Sequence, residues 1–335
     1  MNNLRYSFII PVYNRPDEIE ELLNSFLRLK GDIPHEIVIV EDGSSLDCKS
    51  VLENFNTLLD ISYYYKPNSG PGDSRNYGMR HAKGNYFIIL DSDCLLPESY
   101  LLEVNASLLA NYANCFGGPD AAHQSFSNLQ KAINFSMTSF ITTGGIRGGK
   151  ASSKFQPRSF NMGLSKKAFE DSGGFGSIHP GEDPDLSIRL NKLGYKTILI
   201  PKAFVYHKRR ISWRKFFHQV HKFGLVRPIL NAWHPETKRI TYWFPTLFIL
   251  GLLVSMLLFV FNIDYGLYLY GIYFALAFIM ALVDTKNISV SFLAMLAICV
   301  QFYGYGLGFI KSTIAIRIFK KDPEIYFPKL FFKHV

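Results

Sequence analysis

Two aspartates separated by one residue have the types and spacing that most plainly suggest chemistry in this chain. Asp91 and Asp93 follow the apolar run 86–90, and such a run, closed soon afterwards by Pro97, is typical of a short buried strand. Alternation along an extended chain directs both carboxylates to the same side. Two converging carboxylates suit Mg²⁺ or Mn²⁺, which in turn hold phosphate oxygens. Alternatively, one of the acids only caps a helix.

The elements that must position these acids alternate between strand and helix. The sequence predicts strands at Tyr6–Val12, 36–40 and 61–65, with a helix that Asp17 could cap and a helix over about 48–59 between them. Continuous apolar strands that alternate with helices specify an α/β fold with a mostly parallel sheet. Ligands of such sheets bind beyond the carboxyl ends of the strands.

Three groups of polar residues fall at predicted strand ends. Residues 11–14, Asp42 and the acids at 91–93 each lie at the carboxyl end of a different predicted strand, and this shared placement predicts a nucleotide site. Between them a glycine-rich stretch, 68–78, leads into a helix that has Arg75 near its positive end, where phosphate binds favourably. We therefore expect Arg75 to contact a phosphate or the nucleotide. A surface ion pair is the alternative.

The C-terminal third of the chain is strongly apolar. Three windows, 244–261, 265–283 and 288–310, contain no charged residue. Each is long enough to cross a bilayer as a helix, and buried core helices do not account for three such windows in succession. The sequence therefore predicts an integral membrane protein.

Basic residues cluster just before these windows. Residues 208–241 contain nine lysines and arginines against one glutamate, a net charge of +8 in a chain whose total is +9. Aromatic residues recur among them near helical spacing, which predicts helices lying in the interface of a membrane with anionic lipids. Packing of these aromatics against the N-terminal domain is the alternative. Basic stretches also suit nucleic acids, but the position beside the membrane favours lipid, and we expect no nucleic-acid partner.

Motifs in a fixed order cover about residues 5–207. The first half contains Ile9-Ile-Pro-Val-Tyr-Asn14, Val40-Glu-Asp-Gly-Ser-Ser45, a glycine-rich stretch from Gly70 to Gly84 and Leu90-Asp-Ser-Asp93. The second half contains Asn161-Met-Gly163, Gly173-Gly-Phe175 and Gly181-Glu-Asp-Pro-Asp-Leu-Ser-Ile-Arg-Leu190. Together these motifs resemble glycosyltransferase family 2, a family of inverting enzymes with the GT-A fold: a mostly parallel α/β sheet that binds nucleoside-diphosphate sugars.

The resemblance implies how the nucleotide is held. Asp42 corresponds to the acid that recognises the base, and Pro11 and Tyr13 correspond to the wall around it. The acid before Asp42 is usually aspartate in the family but is Glu41 here. Asp91 corresponds to the acid near the ribose or the donor sugar. A UDP-sugar is the expected donor.

The resemblance also implies a metal site and a base. Asp93 corresponds to the ligand of Mn²⁺ or Mg²⁺, and several relatives place a histidine at His207 on the same ion, although a lone histidine is usually a satisfied polar group. Asp183 corresponds to the base that takes the proton of the acceptor hydroxyl. With Glu182 it could instead cap the helix that Pro184 opens.

Two further regions correspond to pocket residues in the family. Asn161, Glu182 and the loop 144–149 lie where relatives shape the donor and acceptor pockets. The four cysteines show no spacing typical of a metal or redox site, so we expect reduced thiols and a catalytic domain that faces the cytosol.

These observations predict four regions and one reaction. A GT-A catalytic domain, 1–207, precedes a basic interfacial segment, 208–243, a transmembrane region, 244–310, and a basic tail, 311–335. The expected reaction transfers a sugar, with inversion, to a lipid-linked acceptor at the cytoplasmic membrane face. The alternatives are a polyprenyl-phosphate sugar synthase and a catalytically silent sugar-nucleotide-binding scaffold.

The membrane topology remains open at this point. Three crossings would place the tail outside the cell, yet its lysines and arginines favour the inside. One window is then re-entrant or interfacial, and the third, with Gly304, Gly306 and Gly308, is the candidate.

Overall fold

A computed structural model describes residues 4–121, 126–144, 156–207 and 212–332 of the protein. The chain forms two compact units. The first comprises Met1–His123, Lys150–His207 and Phe331–Val335, and the second comprises Gln124–Gly149 and Lys208–Leu330. The main transition between the units falls after His207, and the four regions of the sequence analysis stay a prediction. Residues 124–149 and 331–335 belong to a different unit from their neighbours in the sequence.

Ten strands form two sheets within the described residues. The strands are β1 (Tyr6–Val12), β2 (His35–Asp42), β3 (Ile61–Lys66), β4 (Tyr86–Leu90), β5 (Cys94–Leu95), β6 (Cys115–Gly117), β7 (Asp120–Ala121), β8 (Asn161–Ser165), β9 (Thr197–Leu199) and β10 (Val205–His207). The large sheet has the order β3-β2-β1-β4-β8-β6-β9, and β5, β10 and β7 form the small one. Only β8 runs antiparallel to its neighbours in the large sheet, which confirms the mostly parallel α/β prediction.

The helices follow the strands in alternation and then continue alone. They are α1 (Pro16–Phe26), α2 (Lys49–Glu53), α3 (Pro71–His81), α4 (Tyr100–Ala110), α5 (Asn128–Thr138), α6 (Phe140–Thr143), α7 (Lys166–Ser172), α8 (Glu182–Lys192), α9 (Trp213–Trp233), α10 (Phe244–Val260), α11 (Tyr265–Thr285), α12 (Ile288–Thr313) and α13 (Pro323–Tyr326). A π-helical turn, Ile314–Ile318, extends α12.

Two local predictions were wrong. The helix predicted over 48–59 ends at Glu53, and i→i−3 hydrogen bonds such as Asn54 N–H to Val51 C=O then alternate with single i→i−4 bonds such as Leu59 N–H to Phe55 C=O. The reason is local, because the asparagines that follow favour turns over helix. Asp17 does not cap α1 but lies within its first turn, after Arg15 at the N-cap.

The core of the first unit lies on both faces of β1. Phe8 and Ile10 point into one cluster with residues of α1 and α4, while Ile9 points into a second cluster with residues of α3 and α8. Alternate residues of one strand therefore bury against helices on opposite sides, as in other parallel sheets. This packing holds the carboxyl end of β1 in place between β2 and β4.

The chain returns to the first unit at its C-terminal end. Phe331 forms an isolated β-bridge with Ile178, and the N–H of Phe332 donates to the carbonyl of Ser177 at 2.9 Å. These contacts place Phe331 and Phe332 beside the loop that precedes α8.

The second unit is built around α12. Ala294 and Ile298 of this helix pack against Ala132 and Phe135 of α5. Helices α9 and α12 approach closely at Gly224 of α9. A Cβ at this glycine would lie 2.1 Å from the carbonyl oxygen of Tyr305 in α12. Three helical segments, Ile240–Val260, Tyr265–Thr285 and Ile288–Ile318, are long and apolar enough to cross a membrane. This agrees with the three predicted windows.

Candidate active site

The loops after β1 and β2 are joined by hydrogen bonds. Asn14 has a positive φ of 55°, and its side-chain oxygen accepts from the N–H groups of Ser45 and Leu46, both at 2.9 Å. Glu41 is fully buried and accepts from the Cys48 N–H at 2.9 Å and from the Ser44 hydroxyl. The glutamate that departs from the family pattern therefore anchors its own loop. Nearby, Tyr13 is 53% exposed at this sheet edge.

Asp42 lies at the end of β2 and organises the turn that enters α3. Its carboxylate accepts from the Lys66 ammonium at 2.8 Å and from the N–H groups of Ser69 and Gly70 at 2.9 Å each. Both the acid and the lysine are buried. The sequence did not identify Lys66, whose ammonium pairs with the buried carboxylate of Asp42; an isolated buried carboxylate would be costly. Base recognition by Asp42 and by Pro11 and Tyr13 stays a prediction.

A buried arginine joins the two acidic motifs. Arg75, in the second turn of α3, is 3% exposed. Its Nη2 lies 2.7 Å from Asp91 Oδ1 and its Nη1 lies 3.0 Å from Glu182 Oε1, while its guanidinium lies 5.3 Å from the centre of the Phe175 ring. Burial alone would lower the pKa of Arg75, but the two carboxylates raise it overall.

Arg75 is buried, and its ion pairs do not lie on the surface. Both terminal nitrogens of Arg75 contact protein carboxylates, so the side chain holds Asp91 at the end of β4 and Glu182 at the start of α8 in one place. The structure thus brings together residues from two motifs that are far apart in the sequence. Direct contact between Arg75 and the nucleotide stays a prediction.

Glu182 is held as an anion. His179 Nδ1 lies 3.0 Å from the Glu182 oxygen that Arg75 also contacts. Burial would raise the pKa of Glu182, but His179 and Arg75 outweigh burial and hold that pKa well below its ordinary value. A carboxylate stabilised in this way is a poor proton acceptor.

Asp183 has a different environment on the same turn. Its Oδ2 lies 3.4 Å from Arg158 Nη1, and its side chain is 14% exposed. The N-cap of α8 is Gly181, so neither acid occupies the N-cap position. Both acids lie in the first turn of the helix, where negative charge is favourable. Of the two, Asp183 is the better candidate for a general base.

Asp93 and His207 meet through the small sheet. β5 and β10 pair antiparallel with Cys94 opposite His207, so the residue before Cys94 reaches the histidine. His207 Nε2 lies 3.1 Å from Asp93 Oδ1, and the His207 ring stacks on Phe160 with 4.6 Å between centroids. Because β5 follows the two acids directly, the alternative that Asp91 or Asp93 caps a helix does not apply.

These donors fit a hard divalent cation. Ligand atoms of Asp93, Cys94 and His207 lie within 4.8 Å of one another. Two ligands at about 2.1 Å from an octahedral ion are about 3 Å apart, which matches the separation of the aspartate oxygen and the imidazole nitrogen. Burial raises the pKa of the Cys94 thiol well above its usual range, and a neutral thiol is a poor ligand for Mg²⁺ or Mn²⁺. The chemical fit rests on Asp93 and His207.

Asn161 does not reach the surface of the site. It is fully buried, accepts from the Tyr100 hydroxyl at 2.6 Å and donates to the Ala203 carbonyl at 2.8 Å. The side chain thereby ties the start of β8 to the turn before β10, and its contact with donor or acceptor stays a prediction. Of the loop predicted to shape the pockets, only Gly144 belongs to the described residues; 145–149 lie outside them.

Sequence reasoning missed the basic partners of the acids. His179 and Arg158 contact the two acids of the Glu-Asp motif. His179 precedes Glu182 by three residues, a spacing that could have drawn attention to it. Arg158 lies far from Asp183 in the sequence, and no local pattern points to their contact.

Comparisons with known proteins agree with this architecture. Residues 7–173 match the family model described as Glycosyl transferase family 2. An uncharacterised glycosyltransferase of Rickettsia conorii is 38% identical over 95 residues, which cover 28% of this chain and 16% of that protein. GalNAc(5)-diNAcBac-PP-undecaprenol beta-1,3-glucosyltransferase of Campylobacter jejuni is 27% identical over 210 residues, 60% of this chain and 63% of that protein. The chain thus aligns with only part of each of these relatives.

A solved structure shows the same fold. Mannosyltransferase PcManGT from Pyrobaculum calidifontis, in complex with GDP-Man and Mn²⁺, superimposes with a TM-score of 0.55 at 16% sequence identity. The alignment covers 95% of this chain and 88% of that one. At this identity the likeness establishes the fold alone. With the matched family model and the ordered motifs, it follows that the chain belongs to glycosyltransferase family 2 and has the GT-A fold.

Proposed function

We propose that the protein transfers a sugar from a nucleoside-diphosphate donor to a lipid-linked acceptor, with inversion and with the aid of a divalent cation. The observation that carries this proposal is the pair of contacts from buried Arg75 to Asp91 and Glu182. They assemble the neighbouring Asp93 and Asp183 at the sheet edge where nucleotides bind in open α/β folds. A catalytic carboxylate and a metal-binding carboxylate then serve the same site.

The donor site lies at the ends of β1, β2 and β4. Asp42, Pro11 and Tyr13 are proposed to contact the base, and Asp91 the ribose or the donor sugar. The Pyrobaculum structure holds GDP-Man. For this chain we propose a UDP-sugar, with Asp93 and His207 as the residues that hold Mn²⁺ or Mg²⁺. When bound, such an ion neutralises the charge that develops on a departing diphosphate.

Asp183 is proposed to accept the proton of the acceptor hydroxyl. Glu182 is a weaker candidate because its contacts with Arg75 and His179 favour the charged form. Glu182 instead holds Arg75, and through it Asp91, in place. Direct displacement by the acceptor on the face opposite to the leaving diphosphate inverts the anomeric centre, and no covalent sugar–enzyme intermediate is needed.

A lipid-linked acceptor is supported by the apolar helices and by a relative. The Campylobacter protein is named for an undecaprenol-linked glycan, and the basic residues of α9 precede α10 and α11 directly. We accordingly propose residues 1–207 as the catalytic domain, with 208–243 interfacial, 244–310 in the membrane region and 311–335 as a tail, and with the catalytic domain on the cytosolic face.

The end of the chain bears on the number of membrane crossings. Phe331 and Phe332 belong to the first unit, as does His207. A folded polar domain lies on one side of a bilayer, so the chain between residues 207 and 331 crosses an even number of times. Because three helical segments could cross, we propose that two of them do.

α12 is proposed to be the helix that does not cross. In the apolar stretch of α12, 44% of the residues are buried within the protein, whereas the corresponding share for α10 and for α11 is 11%. It packs closely along α9, and the carbonyl of Gly304 lies 3.1 Å from His221 Nδ1. α9 carries four lysines and arginines, which hydrocarbon does not accommodate. We infer that α12 lies beside α9, while α10 and α11 form a membrane hairpin.

The function is tested by donor turnover of the full chain in detergent with native-membrane lipid extract. From a panel of UDP-, GDP- and TDP-sugars, we expect release of one nucleoside diphosphate that depends on lipid, with a lipid-linked sugar detected by mass. EDTA and Asp93→Ala should abolish release, since both remove the proposed cation. If the protein bound a donor but released no nucleoside diphosphate from any sugar nucleotide of the panel, the result would instead favour a catalytically silent scaffold.

Asp183→Asn distinguishes the two kinds of acceptor. A hydroxyl acceptor needs a base, so the variant should lose on the order of a hundredfold in kcat. The matched control is Asp171→Asn, which removes an exposed carboxylate of α7 that pairs with Lys167, and it should retain nearly full activity. If Asp183→Asn stayed as active as this control, the acceptor would be a phosphate and the protein a polyprenyl-phosphate sugar synthase.

Cysteine labelling tests the hairpin. In a Cys299→Ser background, Ile263→Cys between α10 and α11 should react with an impermeant maleimide from outside the cell. Lys286→Cys lies before α12 and Val335→Cys lies after it in the sequence. Both should react only in inverted vesicles, because the proposal places the chain on both sides of α12 in the cytosol. Labelling of Val335→Cys from outside would contradict the proposal.

A further inference from the structure

The last described residues pack on two loops of the candidate active site. Phe331 pairs with Ile178, and the N–H of Phe332 donates to Ser177 C=O at 2.9 Å. These backbone contacts fix the position of Phe332 beside the loop that leads into α8. The rest of its contacts come from its ring.

On one side, the Phe332 ring lies directly against Gly70. A Cβ at Gly70 would be 2.3 Å from Cγ and Cδ2 of the ring, a distance that no side chain tolerates. Gly70 also has a φ of +92°, which favours glycine in its own right. Its N–H donates to Asp42 Oδ2 at 2.9 Å, so the ring rests on the residue that helps to hold the proposed base-recognition acid.

On the other side, the ring contacts His179. The two ring centroids are 5.9 Å apart with a 55° angle between the planes. His179 Nδ1 lies 3.0 Å from Glu182 Oε1, and Glu182 in turn contacts Arg75. A series of direct contacts therefore runs from Phe332 to Arg75 by way of His179 and Glu182.

We propose that Phe332 is a positioning residue for the transfer reaction, which clamps the loop at Gly70 and the loop at His179 against each other. The proposal rests on the proposed function for its catalytic consequence. Phe332 touches neither Asp183 nor the acids at 91 and 93 in the contacts described above, and it acts through Gly70 and His179. A rigid aromatic ring suits this task, since few rotatable bonds must be ordered.

Phe332→Ala is the direct test. With the ring removed, the two loops lose their shared contact, and we expect kcat to fall about tenfold, because small displacements of positioned groups carry large rate penalties. Phe332→Tyr keeps the ring and should restore kcat to within about twofold. Phe319→Ala removes a 64% exposed phenylalanine from the same end of the chain and should leave kcat unchanged.

Gly70→Ala tests the contact from its other side. The added methyl group should displace the ring and lower kcat in the otherwise unchanged protein. In the Phe332→Ala background the three atoms nearest to the added methyl group are absent. The strain of the positive φ remains, and the additional fold-loss in kcat should be smaller. If Gly70→Ala lowered kcat by the same factor in the wild-type and Phe332→Ala proteins, the contact between the Phe332 ring and Gly70 would have no effect on the reaction.

Hydrogen exchange provides a readout that does not depend on turnover. Amides in peptides covering 66–75 and 175–183 should exchange faster in Phe332→Ala than in Phe332→Tyr at a temperature where both are folded. Wild-type exchange rates in these peptides, or a kcat for Phe332→Ala equal to that of Phe319→Ala, would overturn the clamp. Absence of turnover in the wild-type protein would refute the proposed function, and the exchange data would still test the clamp.

Discussion

The buried guanidinium of Arg75 is the constraint on which the site depends. It contacts Asp91 at the end of β4 and Glu182 at the start of α8, and it is almost inaccessible to solvent. A charge at this depth is tolerated only with partners of opposite sign, so neither carboxylate can move away without cost. Asp93 and Asp183 each follow one of these partners in the sequence. Their positions are therefore set by a salt-bridge network that does not itself use them.

Similar anchoring recurs around the site. Asp42 is held by Lys66 and by two N–H groups, and Asp93 is met by His207 because two short strands pair. The large sheet supplies rigid strand ends, and these polar contacts orient the loops beyond them. The C-terminal Phe332 adds a contact from outside the sheet. Such pre-organisation suits a reaction in which the protein mainly positions groups and stabilises developing charge.

The sequence predicted the scaffold better than the contacts made on it. The predicted bounds of β1, Tyr6–Val12, agree with the structure, and the acids at 91 and 93 were correctly placed at the end of a buried strand. Local pattern could not reveal that Arg75 would be buried between two acids, since Glu182 is 107 residues away. Nor could it show that Asn161 faces inward, because its partners, Tyr100 and Ala203, come from separate elements. Pairings of this kind are decided by tertiary packing, on which propensity and periodicity carry no information.

The most direct measurement is the thermal stability and nucleoside diphosphate release of Arg75→Gln, alone and combined with Glu182→Gln. Removing one partner of a buried ion pair costs about 3–5 kcal/mol, so the single variant should unfold at a markedly lower temperature and lose turnover. The double variant removes the uncompensated charge of Glu182 and should recover much of the stability but not the turnover, because Asp91 is no longer held. An Arg75→Gln protein as stable and as active as the wild type would contradict the view that this arginine assembles the site.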